Sequence, residues 1–151
     1  MKVQTKYVGE VEVSESRVIQ FEKGLPAFEE EKEFIVLPFS EDESAFFTLQ
    51  SVNDVEVAFI IVNPFGFYSD YKVKLSDATI DQIQVEKEED VAIFVMVTVK
   101  DPFAQSTANL QAPVVINLKT QKGKQQVMSD SGYQTKHILM PQEATKVGEG
   151  K

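Results

Sequence analysis

Val57-Ala58-Phe59-Ile60-Ile61-Val62-Asn63-Pro64-Phe65-Gly66 is the stretch that decides how this chain is read. Its first six residues are apolar without a polar gap, far short of the roughly 20 that a membrane helix needs. β-Branched and aromatic side chains dominate the run, and Asn63-Pro64-Phe65-Gly66 then breaks it with turn-forming residues. A short run that is apolar on both faces is expected of a central strand covered from both sides. A second run, Val91 to Val97 (VAIFVMV), has the same character and extends to Val99 before Asp101-Pro102 stops it.

Outward from these two strands the pattern repeats in weaker form. Val3, Thr5 and Tyr7 alternate with polar residues, Gly9 permits a turn, and Val11 and Val13 resume the alternation, which predicts an opening hairpin. Val18 to Phe21 is a short strand stopped by Lys23-Gly24-Leu25-Pro26, and Phe34 to Leu37 and Phe46 to Ser51 follow. Ser106 to Leu110, Pro113 to Lys119 and Lys124 to Met128 complete the set, the last two joined by a turn at Gln121-Lys122-Gly123. One helix is predicted, with Ser76 as N-cap, Asp77 in the first turn, and Leu75, Thr79, Ile80 and Ile83 on one face. About nine closely spaced strands and one short helix predict an all-β chain, a single-domain antiparallel β-barrel-like fold. That domain is assigned residues 1–140. The remainder, 141–151, has no apolar pattern and is read as a flexible C-terminal tail.

Composition narrows the function. The chain has 151 residues, 24 acidic and 15 basic side chains, a formal net charge of -9, no cysteine and a single histidine, His137. No disulfide framework, thiolate metal site or thiol nucleophile can be built without cysteine, and one histidine excludes a multi-histidine metal cage. Phosphate backbones are bound mainly by clustered lysine and arginine, so the acidic balance argues against nucleic acid as a direct ligand. The N-terminus alternates and lacks the continuous apolar segment of a signal peptide, so a cytoplasmic protein with no membrane association is expected. Residues 1–90 hold 20 acidic and 8 basic side chains, and residues 91–151 hold 4 and 7. The acidity is therefore concentrated in the first part, with clusters at Glu29-Glu30-Glu31, Glu41-Asp42-Glu43 and Glu86 to Asp90.

No catalytic residue, cofactor-binding residue or metal ligand is predicted. His137 has no suitable partner near it in sequence and reads as a surface histidine. Gly123-Lys124 lacks the rest of a phosphate loop, and no acidic cluster has the alternating oxygen ligands and central glycine of a calcium loop. A pair of hydrolytic carboxylates is not fixed by sequence spacing and stays open as an alternative. Asn109 and Asn117, both amid apolar β-residues, are expected to satisfy backbone groups at a bulge or bend. The most informative segment is Asn63 to Tyr71, which sets Phe65, Phe67, Tyr68 and Tyr71 around a proline and a glycine. Aromatics on loops concentrate interface energy. Phe65, Phe67, Tyr68, Asp70 and Tyr71 are accordingly predicted to form part of a partner surface, with Asn53, Asp54 and Glu56 as its polar rim.

Four blocks in order carry a resemblance. They are FEKGLPAFEEEKEF (Phe21 to Phe34), LQSVNDVEVAFIIVNPFGFYSDY (Leu49 to Tyr71), the short helix with EEDVAIFVMVTV after it, and TANLQAPVVINLKTQKGKQQV (Thr107 to Val127). Together they resemble the flagellar assembly factor FliW family over roughly Val3 to His137. Ala27 is one departure, since the family commonly has glycine after the proline; alanine there suggests that φ need not be positive. The resemblance implies a non-enzymatic protein that binds flagellin before export and also binds the RNA-binding translational repressor CsrA. Partner switching follows from it, in which released factor antagonises CsrA and flagellin translation resumes. A free monomer without cofactors is expected. A chaperone for flagellin alone and a small carboxylate-dependent hydrolase are the alternatives.

Overall fold

Alternation of apolar and polar side chains drives pairing from the first residues of the chain. In the structure, a computed structural model describing residues 1–38, 45–129 and 131–139, β1 (Lys2–Thr5) and β2 (Gly9–Glu12) form the opening hairpin. Val3 lies opposite Val11 and Thr5 opposite Gly9, whose φ of 74° suits a residue without a Cβ. The remaining strands are β3 (Ile19–Gln20), β4 (Glu33–Pro38), β5 (Phe46–Ser51), β6 (Ala58–Val62), β7 (Val91–Thr98), β8 (Thr107–Ala108), β9 (Val114–Asn117), β10 (Lys122–Gln125) and β11 (His137–Ile138). They form one sheet in the order β11-β8-β7-β6-β5-β4-β3-β10-β9. β9 also pairs with β7, which closes the strands from β7 round to β9 into a ring. The fold is thus mainly β with one short helix, α1 (Asp77–Gln82). Every pairing in the sheet is antiparallel except β3 with β10, which meet in parallel at Gln20 and Lys122.

Successive strand residues face opposite sides, and two cores result. Inside the ring lie Ile19, Phe21, Leu25, Phe34, Leu49, Ile61, Val114 and Ile116, all buried, with Phe47, Phe59, Phe94 and Met96 packed against them. Outside it, Val62 and Val95 face a second cluster completed by Tyr71, Ala108, Leu110 and Leu139. Val62 and Ile61 are fully buried, whereas Ala58, Phe59 and Ile60 are half-exposed, so β6 is covered on both faces only at its C-terminal end.

Three expectations need correction. The turn expected at Gln121-Lys122-Gly123 is displaced toward the N-terminus: Leu118 to Gln121 make it, Gln121 at φ 57°, and Lys122 and Gly123 belong to β10. Gly123 is needed there for space, because a Cβ would stand 2.6 Å from the Phe21 ring. Ala27 has φ 70°, so the backbone after Pro26 does occupy the left-handed region. His137 is half-buried in a strand, where it pairs with Ala108. The acidic cluster Glu41-Asp42-Glu43 and the tail assigned to 141–151 lie outside the described residues.

Candidate partner-binding surface

Asn63 ends β6 and starts the loop. Its Oδ1 accepts the Phe65 N–H at 2.9 Å, and Pro64, which has no N–H to satisfy, begins a single 3-10 turn over Pro64–Gly66. The Pro64 carbonyl then accepts from the N–H groups of Phe67 and Tyr68, and the Tyr68 carbonyl accepts from Tyr71. The loop is therefore wound on itself, and its rings leave in fixed directions.

Those directions separate the predicted residues. Phe65 is exposed, its ring 5.8 Å from that of Tyr71. Phe67 is half-buried and stacks on Phe46 at 6.0 Å; Phe46 in turn meets exposed Phe103 at 5.8 Å. Tyr68 is half-buried, and its hydroxyl donates to the Ile138 carbonyl at 2.7 Å, with the His137 carbonyl at 3.3 Å. It covers carbonyls on β11, the outermost strand of the sheet. Asp70 is exposed. Tyr71 is only 4% exposed, and its hydroxyl donates to the Leu110 carbonyl at 2.7 Å. Its ring belongs to the second core and supports the loop from beneath. Burial raises the pKa of the Tyr68 phenol to about 12. Burial also raises that of Tyr71, with the neighbouring Tyr133 phenol as a smaller contribution.

Asn53, Asp54 and Glu56 are exposed on the turn between β5 and β6, at the start of β6, whereas the aromatic loop leaves its end. Five extended residues span about 17 Å, so the structure does not bring this polar group beside the aromatic loop. The turn is well ordered by its own bonds. The Ser51 hydroxyl accepts from the N–H groups of Asn53 and Asp54, and the Asp54 carboxylate accepts from Glu56.

Two side chains that sequence reasoning did not assign to this surface stand in it. Tyr133 packs edge-on against Tyr71 at 4.8 Å, and its hydroxyl accepts the Lys72 N–H at 3.1 Å. The His137 Nε2 accepts the Gln134 N–H at 2.8 Å, and its ring edges toward Tyr68 at 6.3 Å and Tyr133 at 6.1 Å. Loop and C-terminal segment enclose a cleft of about 750 Å³ lined by Phe67, Tyr68, Ser69, Asp70, Tyr71, Leu110, Tyr133 and His137. Nothing in sequence spacing relates Tyr133 to Tyr71; the bonds from Leu110 and Gln111 to the Gln134 carbonyl and the pairing of β11 with β8 bring them together. Among the described residues no group of three or more His, Asp or Glu side chains is placed to hold a metal ion.

Fold and site together define a class: a small mainly-β domain on a closed ring of strands, with a wound aromatic loop packed on the outside of the ring. The model of the family described as FliW protein matches residues 2–139. The flagellar assembly factor FliW of Geobacillus kaustophilus (strain HTA426) is 44% identical over 146 residues, 97% of this chain and 100% of that protein. The protein of the same name from Bacillus subtilis (strain 168) is 44% identical over 139 residues, 92% of this chain and 96% of its own. A crystal structure of the flagellar assembly factor FliW superposes with a TM-score of 0.88 at 44% identity, covering 93% of this chain and 98% of the other. The chain belongs to the FliW family.

Proposed function

We propose that this chain is a non-enzymatic regulator of flagellum biogenesis that binds flagellin and, when flagellin is absent, the translational repressor CsrA. Bound CsrA no longer represses flagellin translation, and newly made flagellin displaces it. Mutually exclusive binding means that each partner lowers the apparent affinity for the other by the same factor. Membership of a family of flagellar assembly factors supports interaction with flagellar components, and the observation that carries the contact reading is the aromatic loop. Phe65 stands exposed on a frame fixed by hydrogen bonds, and little ordering entropy remains to be lost when a partner covers it. Phe65, Phe67, Tyr68 and Asp70 form the contact face in this reading, and Tyr71 holds it in place. Asn53, Asp54 and Glu56 contribute only to a partner long enough to reach along β6.

The protein acts in the cytoplasm as a free monomer in the same proposal. No helix among the described residues is long and apolar enough to cross a membrane. The alternative of a carboxylate-dependent hydrolase draws no support from the interior: the buried polar side chains among the described residues are Thr, Gln, Ser and Asn, with no Asp or Glu. The site is tested with Phe65→Asp, which changes an exposed ring and leaves the core intact. Affinity for at least one partner should fall by tenfold or more, about the loss expected of an interface anchor. Unchanged affinity for both, with an unchanged fold, would remove the loop from the contact surface.

A further inference from the structure

The outward face of β7 is covered unevenly. Val95 is buried under the second core, but Val91 and Ile93, four and two residues earlier on the same face, are half-exposed. They form the floor of an open groove of about 520 Å³ whose walls are Val73 and Leu75 on one side and Ile80 and Val85 on the other. All six of these apolar side chains are half-exposed rather than buried.

One wall is rigid. After α1 the chain turns back through Gln84, held at φ 60°. The buried Asn117 amide fixes that turn, donating to the carbonyls of Ile83 at 2.9 Å and Gln84 at 3.0 Å, and the Thr120 hydroxyl adds a bond to Ile83 at 3.0 Å. A backbone held in a disfavoured region by a buried side chain keeps its shape when solvent or a partner is present. The same wall is strongly acidic. Glu86 and Glu88 border the groove, and Glu89 and Asp90 continue the run with only Lys87 against them. Glu86 meets Lys119 at 3.7 Å, an exposed pair that a stronger cation can displace. The opposite wall contributes one charge, Lys74.

We infer that this groove is a second docking site, distinct from the aromatic loop, and that it receives a short apolar segment of another protein flanked by lysine or arginine. Apolar side chains of the segment cover Val91 and Ile93, and its basic flanks lie along residues 86–90. The charge of the rim selects this occupant over an acidic or uncharged one.

The full-length chain, labelled for amide NMR, is titrated with the synthetic peptide Lys-Lys-Ile-Val-Ile-Lys-Lys. Two control peptides replace the lysines by glutamate or the apolar centre by Ser-Thr-Ser. Saturable shifts confined to residues 73–75, 80–93 and their neighbours are expected for the first peptide, and neither control should saturate. The surface double variant Glu86→Lys, Glu88→Lys should weaken binding by about tenfold, two charge reversals acting on exposed pairs, and added salt should weaken it further. Equal binding of the glutamate or the Ser-Thr-Ser peptide, or shifts elsewhere on the surface, would overturn the inference. So would a groove already covered, shown by self-association that Glu88→Lys abolishes, or by groove resonances that move on Val147→Asp without peptide.

Discussion

At the scale of single residues, the clearest departure from ordinary backbone chemistry is Ala27. An L-residue in the left-handed region costs roughly 1–2 kcal/mol, and Ala27 at φ 70° carries that cost with an exposed side chain that gains nothing from packing. Ala27→Gly removes the strain and adds some unfolded-state freedom, so the net gain should be about 0.5–1 kcal/mol. A higher urea midpoint with an unchanged slope would show it, and a lower midpoint would mean that the strain is absent. The sequence misleads here because alanine does not report the backbone, which Leu25 and Phe28 impose by pairing across the turn. Asparagines were more legible. Asn109 accepts from the N–H groups of Gln111 and Ala112, and Asn117 accepts from Lys119 and Thr120, the local roles that an amide amid β-residues suggests. Neither the long reach of the Asn117 amide to Ile83 nor the steric need for Gly123 beneath Phe21 leaves a trace in local sequence.

Elements were legible where they are long and patterned. β5 runs over Phe46–Ser51, the bounds expected of that strand, and α1 begins after Ser76, whose hydroxyl accepts the Thr79 N–H at 3.1 Å. Two-residue β11 and the parallel meeting of β3 with β10 were not legible, because they are made by partners distant in sequence rather than by any local pattern. The same reason misplaced the polar rim. Asn53 to Glu56 are close in sequence to the aromatic loop, yet one strand length separates them. Within the loop, neutral phenols tie Tyr68 to Ile138 on β11 and Tyr71 to Leu110 after β8. The Tyr68 pKa stands at about 12 against an ordinary 10.0, and that of Tyr71 is raised as well. Folding therefore favours the protonated phenols. Their contribution is complete below pH 10 and is lost as pH rises above it, toward about 12 for Tyr68 and higher still for Tyr71. An absorbance titration should show two of the four tyrosines ionising late, together with unfolding. Four phenols titrating together near pH 10 with the fold intact would contradict the bonded frame.

At the scale of the whole molecule, the ring of strands supplies a rigid body, and the proposed contact surfaces lie on the outside. The aromatic loop and the groove beneath α1 are both built on the outward face of β6 and β7, joined by residues 71–75. Residues 1–90, with 20 acidic and 8 basic side chains, set the sign of the net charge of -9, a field that opposes nucleic acid and favours a basic partner. In the proposed exchange of flagellin for CsrA, such a chain would act on translation through a protein that itself binds RNA. The most direct measurement of that claim is size-exclusion chromatography of the purified chain with flagellin, with CsrA, and with both together. The account predicts co-elution with each alone, and release of CsrA as flagellin is added to the preformed complex. Co-elution with neither partner, or one complex holding all three proteins, would contradict it.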